Sequence, residues 1–156
     1  MAREGESERE RLDRNLDQLM TELRVAMPGV QILFGFLLSV PFTQRFGEVT
    51  AFQRDVYIVS LVAAGIATAF LIAPTAYHRM TFRRGEKHHL VFTANLWTIA
   101  GLMALGVAMD AAVLLVVDFL FDSVVAVIIT TGLGAMYLGF WFIFPLMRRL
   151  PITDTG

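Results

Sequence analysis

His78-Arg-Met-Thr-Phe-Arg-Arg-Gly-Glu-Lys-His-His89 is the stretch on which the fold turns. It carries Arg79, Arg83, Arg84 and Lys87 between two apolar runs, residues 56–76 before it and 90–121 after it. Each run reaches the length of about twenty residues that a helix needs to cross a bilayer. Lys and Arg beside such a run stay on the cytoplasmic side. A basic segment between two runs therefore reads as an inner turn joining antiparallel membrane helices. Working outward, residues 28–46 and 124–147 supply two further runs. The loop 43–55, with Arg45, Glu48, Arg54 and Asp55, is weakly charged and falls on the outer side. Eleven of the thirteen Lys and Arg residues lie in three clusters, at 3–24, 79–87 and 148–149, and only Arg45 and Arg54 lie elsewhere. This alternation predicts four spans with both termini on the cytoplasmic side.

Composition agrees. Of 156 residues, 56% are hydrophobic and 17% charged, and the mean hydropathy is +0.60. An ordinary soluble domain could not cover such a composition with a polar surface. Cysteine is absent, which excludes disulfides, thiol catalysis and thiolate metal sites. The acidic, charged beginning is not expected to be a signal peptide. Residues 1–6 are expected to be a disordered tail. From Ser7, with Glu10 three residues on, a capping-box pattern opens a helix over 7–27 with Leu12, Leu16, Leu19 and Leu23 on one face. This amphipathic helix lies either in the headgroup layer or on the inner ends of the spans. The expected fold is all-α: a four-helix transmembrane bundle (28–147) preceded by that helix and followed by a cytoplasmic tail, 148–156. The simplest packing is a four-helix antiparallel bundle.

Within the spans, small residues recur every fourth position: Gly65, Ala69 and Ala73; Ser60, Ala64 and Thr68; Ala100, Ala104, Ala108 and Ala112. Such ladders let helix backbones approach closely, within one bundle or between subunits. Asp110 is the acid to weigh first, because a carboxylate at mid-membrane costs about 2.5–3.5 kcal/mol on insertion scales. A span starting at Leu90 would bring it to the outer interface; one running from Ala94 to Val117 would hold it in the membrane. Asp110, Asp118 and Asp122 are expected on one broad helix face, with Arg45 and Arg54 as their neutralising partners. That pairing would fold the loop after span one over the end of span three. Gln31, Ser39, Asn95, Thr98, Thr130 and Thr131 are the other polar groups, explained by hydrogen bonds between helices. Gln31, Asn95 and Asp110 would make a polar path if the fold brings them together. His78, His88 and His89, beside Arg79, Arg83 and Arg84, form an inner cluster suited to lipid headgroups or to sensing pH. There is no hydrolase elbow, zinc-protease motif, phosphate loop or dinucleotide fingerprint. No enzyme, cofactor, metal centre or nucleic-acid partner is expected. Membrane lipids are, and a second copy or another membrane protein is the partner that the ladders suit.

Five segments carry a resemblance: Glu22-Leu-Arg-Val-Ala-Met-Pro-Gly-Val-Gln-Ile-Leu-Phe-Gly-Phe-Leu-Leu38, Pro41-Phe-Thr-Gln-Arg-Phe46, Phe52-Gln-Arg-Asp-Val-Tyr57, Ile72-Ala-Pro-Thr-Ala-Tyr-His-Arg79 and Phe82-Arg-Arg-Gly85. Together they resemble an uncharacterised actinobacterial family of small four-span membrane proteins, whose members often carry the label sodium:proton antiporter. The match covers about residues 11–85; beyond it only hydrophobicity and the terminal Arg pair are similar. The resemblance implies that Gln31 faces the bundle, that Arg45, Gln53 and Arg54 flank the outer mouth, and that Tyr77, His78 and Arg79 close the inner end of span two. Two functions follow as expectations. The first is a structural or interaction partner in the membrane without turnover of its own. The second is a small cation or proton transporter using Asp110 and Gln31.

The cysteine-free chain makes the topology directly testable. A single cysteine placed at Arg84 should react with a membrane-impermeant maleimide only after cells are opened, and one at Gly47 should react in intact cells. Labelling of position 84 from outside would reverse the orientation.

Overall fold

The computed structural model describes residues 8–81, 87–121 and 123–148. The tail 1–6, the inner-turn residues Arg83 and Arg84, Asp122 and the closing residues 149–156 lie outside the described residues. The described chain is helical: α1 (Glu8–Ser39), α2 (Ala51–Thr81), α3 (Lys87–Leu120), α4 (Ser123–Leu138) and α5 (Phe144–Met147), with two short 3-10 turns between α1 and α2 and a π-helical turn, Gly139–Ile143, joining α4 to α5. Four stretches are long and apolar enough to cross a membrane: Arg14–Phe42, Ala51–Met80, Val91–Leu120 and Ser123–Met147.

The first correction concerns the beginning. No boundary separates an amphipathic helix, 7–27, from a first span at 28: α1 runs unbroken through Pro28 for 32 residues. Proline removes the bond that would reach the Arg24 carbonyl, and the exposed ring sits away from the neighbouring helices, where it obstructs nothing. What carries the helix across is a seven-residue repeat. Leu16, Leu23, Val30 and Leu37 are its buried residues, with Leu19, Met27, Leu33 and Phe34 half-buried beside them. A repeat of seven keeps one seam turned to a neighbour along the whole rod. The early part of α1 lies along α2, with the Thr75 hydroxyl 3.6 Å from the Met20 sulfur.

The ends of α1 and α2 follow from single residues. Pro41 has no N–H for the Leu37 carbonyl. α1 therefore stops at Ser39 rather than reaching 46, and the freed Leu37 carbonyl accepts the buried Tyr57 hydroxyl at 3.0 Å. α2 starts before the expected residue 56 because Thr50 and Gln53 form a capping box. The Thr50 N–H donates to Gln53 Oε1 at 3.0 Å, and the Gln53 N–H donates to Thr50 Oγ1 at 3.2 Å. At the far end of the chain, Pro145 deprives the Trp141 carbonyl of its i+4 donor. The helix widens into the π turn just before it, where the Phe144 N–H reaches the Gly139 carbonyl.

The core is the seam between α2 and α3. On α2, Gln53, Tyr57, Ser60, Ala64, Ala67, Leu71 and Pro74 are buried, at alternating spacings of four and three. On α3, Ala94, Gly101, Leu105, Ala108 and Leu115 are buried in the same rhythm. Two helices with this period wind about each other like a coiled coil. The expected ladders at strict i+4 spacing are corrected accordingly, since four residues overshoot a 3.6-residue turn and drift off any straight seam. Ala69 ends exposed, Gly65 turns toward Phe34 on α1, and of the ladder Ala100, Ala104, Ala108 and Ala112 only Ala108 is fully enclosed. The Ser60 hydroxyl closes the seam by donating to the Ala108 carbonyl at 2.8 Å.

The four helices pack unevenly among the described residues. α1, α2 and α3 touch one another, whereas the backbone of α4 approaches that of α3 alone. α4 is an outrigger on a three-helix core.

Gly101 sits where that core is tightest: a Cβ added there would lie 2.8 Å from both Cγ and Cδ2 of the fully buried Leu71. Gly101→Val should lower stability in detergent by about 1–3 kcal/mol. Gly35→Ala, which adds a Cβ with nothing within 4 Å, should change it little. Reversible denaturation by SDS, followed by helicity, checks both.

Candidate functional site

Asp110 lies on the side of α3 that faces α4. Its neighbour is Gly134, whose missing side chain makes the room: a Cβ at that position would stand 3.3 Å from Asp110 Oδ2 and 3.7 Å from Cγ. Oδ1 is buried and has no hydrogen-bond partner among the described residues. The carboxylate opens on a cavity of about 220 Å³ whose lining includes Met103, Gly106, Tyr137, Trp141 and Phe142. The Tyr137 and Trp141 rings stand 5.2 Å apart, tilted by 33°. Trp141 comes from the π turn and lies over Gly106, where an added Cβ would be 3.8 Å from the indole. Each wall thus depends on a local feature: two glycines that admit the carboxylate and the indole, and a proline that widens the helix bearing the indole.

Asp110 is placed along α3 and α4 as follows. It lies ten residues inside the end of the stretch Val91–Leu120. Its neighbour Gly134 is near the middle of Ser123–Met147, the shortest of the four stretches at 25 residues. A rod of that length has only its middle in the centre of a bilayer.

Asp118 belongs to a different place. Eight residues along a helix turn the side chain by about 80°, so Asp118 faces α2, not α4. Its Oδ2 accepts the Gln53 side-chain amide at 2.9 Å. The expected single acidic face is therefore split between two neighbours, and its third member, Asp122, lies outside the described residues. The expected pairing of Asp118 with Arg45 or Arg54 is replaced by Gln53. Arg45 instead stacks over the Phe119 ring, 5.1 Å from its centroid, and makes an exposed contact with Glu48 at 3.7 Å. The surface ion pair is worth little. The loop does fold over the end of α3, as expected, but through a cation–π contact. Arg54 is exposed, its backbone N–H bonded to the Thr50 carbonyl.

Gln31 and Asn95 are exposed on the outer faces of α1 and α3, so the polar path from Gln31 through Asn95 to Asp110 does not form. Each sits off its helix's seven-residue seam, and the seam decides which side turns inward. The expected hydrogen bonds between helices are likewise corrected for three groups. Ser39, Thr98 and Thr130 donate to the carbonyls of Gly35, Ala94 and Ala126 on their own helices, a local option that hydroxyls always have. At the other end of the core, His78 is half-buried and Arg79 exposed, and Tyr77 meets Trp97 edge-on at 5.5 Å. No group of three or more His, Cys, Asp or Glu among the described residues could hold a metal ion.

Reading by residue type found Asp110 but missed Gly134 and Trp141, which become visible only once α4 is laid on α3. The Thr50-Ala-Phe-Gln53 string did carry a readable signal, since it is the capping-box pattern.

Four apolar rods, with one acid held between two of them, are the features of a small polytopic membrane protein. Residues 5–145 match a family of unknown function, DUF6328, and the chain belongs to that family. No curated protein and no solved structure matches it.

Gln53 serves the capping box and Asp118 at once, so its loss should be felt twice. Gln53→Ala should destabilise by about 1–3 kcal/mol, and Asp118→Asn by less, because the asparagine oxygen still accepts the amide. SDS denaturation of both variants and of the double variant reads the coupling.

Proposed function

We propose that this chain is a multi-pass protein of the bacterial cytoplasmic membrane, both termini inside, that binds a proton or small cation at Asp110 and carries it across. One observation supports the reading above the others: the Asp110 carboxylate lies deep between two apolar helices, beside a cavity, with Oδ1 buried and unbonded. Ionisable groups inside spans are costly, and they mark ion and proton pathways by default. The basic flanks support the orientation.

Four spans are few for a transporter, since those of known fold use internal repeats and broken helices. A second copy would supply the rest. The open side of α4 suits one: Thr131 and Ala135 are exposed there and Gly139 half-exposed, so another helix could come close. The same open side favours a second reading, in which the chain is a structural or interaction partner with no turnover.

Proteoliposomes loaded with a pH-sensitive dye separate the two. A pH change driven by an imposed cation gradient, present in wild type and lost in Asp110→Asn, is the expected result. Equal fluxes in both proteins would take Asp110 out of the pathway. An absence of flux in either would leave the partner reading alone.

A further inference from the structure

We infer that the cleft between α3 and α4 is a binding site for a lipophilic organic cation, a substituted ammonium small enough for one aromatic ring. This rests on the reading of Asp110 as a cation site and names the class of cation. Three features of the cleft select it.

The first is the single negative charge. The only other side-chain polar groups on the lining are the Tyr137 hydroxyl and the Trp141 indole N–H. A hard metal ion gives up its water only to a shell of several oxygens, and one carboxylate with a phenol does not make one. An organic ammonium asks for no such shell. Its charge is spread over carbon-bound hydrogens, and one carboxylate neutralises it.

The second is the aromatic wall. Tyr137 and Trp141 lie side by side with centroids 5.2 Å apart, and Phe142 adds a third ring to the lining. Aromatic faces attract ammonium groups within about 6 Å, tryptophan most strongly, and aromatic cages for quaternary ammonium use this force. A sodium ion would have to shed its water to gain from three rings around the acid, and a proton gains nothing from them.

The third is the mouth. Met103, Val107 and Leu138 line the cleft and are each more than half exposed, at 54%, 52% and 56%. They lie on the flank of the core, within the apolar stretches of α3 and α4. The opening therefore gives sideways onto the lipid. A ligand arriving by that route must dissolve in the bilayer, which admits substituted ammonium ions of low polarity and rejects hydrated metal ions. The cavity, about 220 Å³, is below the usual range for drug-sized ligands, which sets the size limit.

The probe is radiolabelled benzyltrimethylammonium, added to the full chain in detergent and measured by equilibrium dialysis against empty micelles. Saturable binding is expected in wild type. Asp110→Asn should weaken it at least about tenfold, and Trp141→Leu by about two- to thirtyfold. Trp97→Leu, at the Tyr77 contact and off the cleft lining, should leave it unchanged. Neopentylbenzene, the neutral isostere, should not compete. A second measurement holds whether or not the variants fold well: modification of Asp110 in the wild-type chain by dicyclohexylcarbodiimide, read by mass spectrometry. Protection by benzyltrimethylammonium and none by sodium supports the inference. Protection by sodium alone would overturn the organic-cation class while leaving Asp110 as a cation site. An Asp110 that reacts but is protected by neither overturns the class and leaves proton binding. An Asp110 that never reacts, with no saturable binding of the probe, removes both.

Discussion

Along the line where α2 meets α3, side chains almost disappear. Ser60, Ala64, Ala67, Gly101 and Ala108 are buried there, and small residues let the two helices come close. In lipid, helices gain nothing from hiding apolar surface, and what holds them is dispersion between closely fitted atoms and a few hydrogen bonds. The Ser60 bond to the Ala108 carbonyl is the polar part of that fit, and Leu71 filling the dent at Gly101 is the apolar part. Everything else is placed relative to this pair. α1 lies on it along its own seven-residue seam, and α4 leans on the far side of α3.

The seam also decides which polar groups find partners. Gln53 and Tyr57 fall on it at one end of α2, and both are buried and bonded, to Asp118 and to the Leu37 carbonyl. Gln31 and Asn95 fall off it and end outside. Asp110 falls beside it, close enough to Ala108 to be drawn inward yet turned to α4. Its chemistry therefore depends on the least supported helix of the fold. The carboxylate, Gly134, Trp141 and the π turn form one group whose geometry changes whenever α4 shifts on α3.

Much of the architecture was legible in the chain before folding. Length and hydropathy place four rods, and four helices of that length and apolarity are present. The misreadings share a cause. A ladder of small residues every four positions looks like a packing face, but the faces that pack repeat every seven, and two ladder steps overrun that repeat by one residue, about 100° around the helix, which moves a side chain to another neighbour. Pro28 looked like a beginning because proline is tolerated there; it proved to be a passenger in a helix held by Leu23 and Val30. Asp110 was identifiable from its charge alone. Its partners were not, because Gly134 and Trp141 carry no charge and act only through the space one leaves and the other fills.

The unbroken course of α1 has a mechanical consequence. Thirty-two residues at a rise of about 1.5 Å make a rod of about 48 Å, well beyond the roughly 30 Å of hydrocarbon it can occupy. Such a rod either tilts in a bilayer or carries its charged first turns beyond the hydrocarbon. A torque applied to those turns travels down the same rod to the Leu37 carbonyl and the tyrosine holding it. The softest link on the way is the missing bond between Arg24 and Pro28, where such a lever would flex first.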